Sequence, residues 1–142
     1  MSRFTEAQYV LTGRLKNGRP EVRLTSDLVY HVGFIGSNWL IIAPAGFCSD
    51  LASVPAIPAS LARLLVWSRP GRPMLRWLIR KRNAFAKLIA RAAIVHDLMR
   101  QDPRWPKLVG DCVFAEAMGV DQVPAAYRLL AFAGVLTNFS RT

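Results

Sequence analysis

Between residues 84 and 118 the apolar positions recur at helical spacing. Phe85, Leu88, Ile89, Ala92, Ala93 and His96 share one face of a run from 84 to 100, the pattern of an amphipathic helix. Asp102-Pro103 and Trp105-Pro106 interrupt it, since proline lacks the amide hydrogen that a helix needs. A second helix is predicted over 107–118, with Gly119 as its stop. Pro124 opens a third, running to about Leu136 and ending near Asn138. Upstream the pattern changes. Tyr9-Val10-Leu11, the set Val22, Leu24, Leu28, Val29, Tyr30 and Val32, and the apolar run 39–42 predict strands. Turns are predicted at 16–20, where Asn17-Gly18 tolerates positive φ, and at Ser37-Asn38. A short helix is expected at 60–67 and a loop at 68–73. The run 74–81 then alternates bulky apolar and basic residues. At about two helical turns it suits packing on the protein's own core, or a partner interface, better than a lipid surface.

These elements predict an α+β fold in a single domain spanning 1–142. A small N-terminal antiparallel β-sheet occupies a β-rich part at 1–45. An Asp-containing loop follows at 46–57. A C-terminal bundle of three to four helices fills 58–140. No internal repeat or low-complexity tract is visible.

Composition narrows the class. A hydrophobic content of 52% argues against a disordered chain. No apolar run approaches the ~18 residues of a membrane span, and the N-terminus carries no apolar signal-peptide core. A soluble, cytoplasmic product is expected, with no transmembrane segment. Cys48 and Cys112 sit in apolar sequence and read as buried free thiols, and no zinc spacing is present.

Charge changes the picture more. The net charge is +10, and no acidic residue occurs from 51 to 95. That window holds nine basic residues, among them Arg72, Arg76, Arg80, Lys81 and Arg82. Such a surface attracts anionic partners: lipid headgroups, an envelope polymer or nucleic acid. Nucleic acid ranks last, for want of a motif and of aromatic interleaving for stacking.

Three places carry candidate chemistry. His96-Asp97 stands in the first long helix, and Asp111 early in the second. Helices joined by a short connection are usually antiparallel neighbours, which sets Asp111 beside His96. A carboxylate there fixes the imidazole tautomer and raises its basicity, as a general base requires. The competing reading is a hydrogen-bonded core histidine. Asp50, between Ser49 and Ser53 in apolar sequence, needs partners if buried. Either it caps a helix starting near Leu51, with Ser53 helping, or its loop brings Asp50, a hydroxyl (Ser49 or Ser53) and backbone carbonyls toward the His-Asp helix. Arg100 can pair with Asp97 or Asp111 and give a purely structural cluster.

The order Gly46-Phe47-x-Ser49-Asp50-Leu51-Ala52-Ser53-Val54-Pro55, then Ala92-Ala93-x-x-His96-Asp97, then Asp111-x-x-Phe114 with Ala117-Met118, resembles a family of phage and prophage proteins, domain of unknown function family 1353. The resemblance implies phage origin: synthesis in the host cytoplasm, with virion association and other phage structural proteins as partners. It implies no activity. Locally, Ala-Ala-x-x-His-Asp followed by Asp-x-x-Phe is also similar to the core of phospholipase A2 enzymes, especially their viral capsid and bacterial forms. That likeness implies His96 as the base, Asp97 as a Ca2+ ligand and Asp111 as the orienting carboxylate, with calcium polarising an ester carbonyl. The tyrosine that those enzymes carry four residues after the histidine is Arg100 here. Only the segment 46–55 can replace their glycine-rich calcium loop, with Asp50 as an extra ligand.

Two functions follow. One is a metal-assisted hydrolase of ester or amide bonds in lipid or cell envelope. The other is a non-catalytic virion, tail or assembly protein in which the His-Asp cluster is structural. The first needs an open cleft at His96. The second needs the cluster buried and mutually satisfied.

Overall fold

A computed structural model describes residues 3–16, 19–51, 59–68 and 71–137. The fold is α+β: small antiparallel sheets near the N-terminus, then helices. Strands β1 (Tyr9–Lys16), β2 (Arg19–Leu24) and β5 (Cys48–Ser49) form one sheet in the order β1-β2-β5. Strands β3 (Leu28–His31) and β4 (Leu40–Ala43) form a second. The N-terminal β-rich region is thus two sheets rather than one. Lys16 pairs with Arg19; the expected turn at Asn17-Gly18 lies outside the described residues. The register of β1 slips between Leu11 and Leu15, where Gly13 has φ 74°, the left-handed conformation that a bulge takes most easily at glycine. The expected loop at 46–57 begins instead with a strand: Cys48 and Ser49 pair with Arg23 and Val22.

Among the described residues five helices follow: α1 (Ala59–Trp67), α2 (Gly71–Leu88), α3 (Ala90–Gln101), α4 (Lys107–Val120) and α5 (Ala125–Thr137). Several boundaries differ from expectation. The predicted loop at 68–73 shrinks, the run 74–81 belongs to an 18-residue helix, and the break falls at Ile89. Ile89 has φ −99° and ψ 7° and is fully buried. There the chain passes from a surface helix, whose one buried residue is Gly71, to a helix buried from Ala92 through Asp97. No glycine or proline marks this break, since burial rather than propensity bends the chain. Leu51 itself is not helical, with φ 48°; residues 52–58, where the expected helix would continue, lie outside the described ones, and α1 is described from Ala59. The predicted end near Asn138 lies outside the described residues.

A single core joins both parts. Leu28, Tyr30, Ile41 and Ala43 from β3 and β4 pack with Ile94 and Val95 of α3, Phe114 and Met118 of α4, and Ala131 and Val135 of α5. Glu116 fastens the layers, accepting from the Tyr30 hydroxyl at 2.7 Å and the Gly33 amide at 2.8 Å, with Arg3 at 2.9 Å. Trp39 stacks on Trp105, centroids 5.9 Å apart, and ties the start of β4 to the α3–α4 connection. The cysteines are free, but not buried as expected: Cys48 is half-buried and Cys112 exposed, because Cys112 faces outward between the buried Asp111 and Val113. Among the described residues no helix is long and apolar enough to cross a membrane.

Candidate functional site

Helix α3 carries the chemistry because it is wrapped on nearly all sides. Successive helical residues point about 100° apart, so His96 and Asp97 face different neighbours. His96 faces α4. Its Nε2 lies 2.8 Å from Asp111 Oδ1, and its ring lies 4.9 Å from Phe114, tilted by 35°. Gly110 lets the helices approach: a Cβ there would sit 3.6 Å from Met99 Cβ and 4.0 Å from His96 Cδ2. The contacts His96–Asp111 and Met99–Gly110 run in opposite chain directions, as in the antiparallel hairpin expected from the short connection.

Asp97 faces the sheet. The Ser49 hydroxyl on β5 donates to Asp97 Oδ2 at 2.5 Å and accepts from the Leu51 amide at 3.0 Å. That second bond holds Leu51 in its left-handed conformation, which costs a β- or γ-branched residue about 1–3 kcal/mol. The 49–51 corner is therefore fixed through Ser49 to α3.

Asp111 is shared. Lys107 Nζ lies 2.5 Å from its Oδ2 and donates to the carbonyls of Val135 and Leu136 at the end of α5. Burial pushes the His96 pKa down, against the upward pull of Asp111, and the Arg100 and Lys107 charges push the same way as burial. The ring is neutral at neutral pH. A carboxylate can only accept, so the N–H sits on Nε2 and the lone pair on Nδ1. Ser49, Asp97, His96 and Asp111 are 1, 5, 6 and 1% exposed.

Asp50 is buried as well, but it lines a different place. A cleft of about 330 Å³ is walled by Tyr9, Leu11, Val22, Asp50, Arg82 and Lys87 among others, and by none of His96, Asp97 and Asp111. Ser53 lies outside the described residues. Arg72, Arg76, Arg80 and Lys81 are exposed along α2 and Arg82 is half-buried.

Calcium takes six to eight oxygens. Asp97 Oδ2 already accepts from Ser49, and Asp50 shares its cleft with Arg82 and Lys87. Among the described residues no group of three or more His, Cys, Asp or Glu is placed to hold a metal. The described donors make an incomplete calcium shell.

Lys107 and Glu116 were not singled out from sequence. Lys107 had a signal, since it stands four residues before Asp111 on a helix. Glu116 had none, because its partners are 83 and 86 residues away.

No family model matches the chain, nor does any curated protein or solved structure.

Proposed function

We propose that the His96–Asp97–Asp111 cluster is a structural lock, and that the chain is a non-catalytic phage-type protein, a virion, tail or assembly component. The observation that supports this is burial with mutual engagement: Asp97 is held by Ser49, and Asp111 by His96 and Lys107. A base must come within about 3 Å of the proton it takes, and His96 is only 6% exposed. The phage assignment rests on the resemblance of three ordered motifs alone. The lock is tested by equilibrium unfolding of Asp97→Ala and His96→Gln. Asp97→Ala takes the acceptor from the buried Ser49 hydroxyl and is expected to cost about 1–3 kcal/mol; His96→Gln keeps a donor for Asp111 but loses the ring against Phe114 and is expected to lower stability too. Co-sedimentation with particles in an induced lysogen tests the setting, and a protein absent from purified particles and from assembly intermediates counts against it.

A second reading is favoured by one specific observation, the imidazole of His96 held 2.8 Å from the Asp111 carboxylate, as a general base is orientated. In a hydrolase, His96 Nδ1 would take a proton from water as the oxygen adds to an ester or amide carbonyl carbon. Asp111 would steady the resulting imidazolium, which would then return the proton to the leaving group. Ester and amide hydrolysis by the wild type, lost in His96→Gln at an unchanged melting temperature, would overturn the structural proposal. Calorimetric calcium titration of wild type and Asp97→Asn separates the metal-assisted form from a metal-free one.

A further inference from the structure

The α1–α2 hairpin stands apart from the lock. Among the described residues the core cluster takes no residue from α1, and from α2 only the half-buried Phe85 and Ala86. The hairpin is closed by its own contacts. The Gly71 amide donates to the Ser68 carbonyl at 3.0 Å, and a Cβ at Gly71 would lie 2.1 Å from Ser68 Oγ and 2.4 Å from the Leu65 carbonyl oxygen.

At 100° per residue α2 has three faces. Leu75, Leu78, Phe85 and Ala86 are half-buried and share the arc turned toward the protein. About 120° away, Arg72, Arg76, Arg80 and Lys87 form an exposed basic stripe. On the third face Met74, Trp77 and Leu88 are 50, 55 and 41% exposed. Lys81 falls on that face too, with its ammonium 5.8 Å from the Trp77 ring centre, so its stem covers apolar surface while its charge stays at the edge. At the hairpin tip Trp67 is 90% exposed.

We propose that this hairpin docks on an anionic lipid surface. The Trp77 face and the Trp67 tip enter the headgroup boundary, and the arginine stripe meets lipid phosphates. Three features choose lipid over other anionic partners. The helix is 18 residues long, about 27 Å, which removes the objection that the apolar-basic run is too short to lie in an interface. No acidic residue occurs from 51 to 95, so nothing along the hairpin repels phosphate. An exposed Trp, Met and Leu flank beside arginine suits the amphipathic boundary of a bilayer, whereas a nucleic-acid backbone has no use for Met74 and Leu88. The hairpin holds whichever reading of the α3 cluster is right.

The test is co-sedimentation of the full chain with vesicles of phosphatidylcholine alone and of phosphatidylcholine mixed with phosphatidylglycerol, alongside tryptophan emission. Binding is expected to the mixed vesicles only, to weaken with salt, and to shift emission to the blue. Arg76→Gln with Arg80→Gln is expected to weaken binding roughly twenty-five-fold, about fivefold per charge. Trp77→Ser is expected to weaken binding and reduce the blue shift at an unchanged melting temperature. No binding to mixed vesicles, or equal binding to both kinds, overturns the proposal. Duplex DNA binding that depends on the two arginines but not on Trp77 overturns it in favour of a nucleic-acid face.

Discussion

His96 and Asp111 make a pair whose two members fail differently. Asp111 is 1% exposed and serves two donors, one of them the Lys107 ammonium. Asp111→Ala takes the carboxylate from both, but the Lys107 ammonium keeps the Val135 and Leu136 carbonyls, so the main loss is the buried imidazole N–H left without its acceptor, about 1–3 kcal/mol. Urea unfolding measures it, and a loss below about 1 kcal/mol would show that water replaces the carboxylate. His96 is read through pH. Its folded pKa is held below the ordinary 6.5 by burial, so below that pH the unfolded chain takes up a proton that the folded chain refuses. Stability is then full above about pH 6.5 and falls as the pH drops toward the folded value, by at most about 1.4 kcal/mol per pH unit. The melting temperature should fall between about pH 7 and pH 5, and less steeply in His96→Gln. Asp121, whose pKa burial raises, pulls the other way from a lower pH, and the comparison of the two proteins cancels it. Sequence made the His96–Asp111 meeting legible because a short proline connection forces the two helices side by side. The expectation that the 46–55 loop brings a hydroxyl toward the His-Asp helix is met by the Ser49–Asp97 bond, across 48 positions, but the two-residue strand that makes the meeting was not legible.

At the scale of elements, the α3–α4 contact turns on Gly110. A methyl there meets Met99 Cβ at 3.6 Å, an ordinary contact, and alanine is the better helix former by about 1 kcal/mol. Gly110→Ala is therefore expected to be neutral or slightly stabilising. Gly110→Val adds branches with nowhere to go between Met99 and His96, and over-packing of this kind costs about 1–3 kcal/mol. Thermal melts of both variants check the pair, and equal melting temperatures would mean that the helices separate freely. Helices α4 and α5 are readable because a proline stands before each, whereas Gly119, the expected stop of α4, lies inside a helix that runs to Val120, and the left-handed residue beyond it is Gln122. The break at Ile89 is not readable, since Phe85, Leu88, Ile89 and Ala92 continue one helical period across it. What changes there is the environment: Leu88 is 41% exposed and Ile89 fully buried. Hydrophobic spacing records which residues seek cover, and it says nothing of whether the cover comes from one straight helix or from two.

For the whole molecule the consequence is uneven stability. The sheets, α3, α4 and α5 share one core, so their innermost amides can open only when that core comes apart. The α1–α2 hairpin contributes Leu65 and Gly71 as buried residues, and the rest of its described side chains are half-buried or exposed. Regions with few buried apolar contacts open at free energies well below the global value. Hydrogen exchange read by mass spectrometry is therefore expected to show two classes. Amides of α3 and α4 exchange at the rate set by global unfolding, and those of α1 and α2 exchange faster by a sub-global opening that leaves α3 protected. A destabilising change in the lock, such as Asp111→Ala, should speed the first class and leave the second nearly unchanged, because the hairpin opens without breaking the His96 pair. Should α2 prove as protected as α3, the hairpin is part of the core unit. Its exposed tryptophans would then belong to a rigid face, and the helix could meet a surface only as the whole molecule turns toward it.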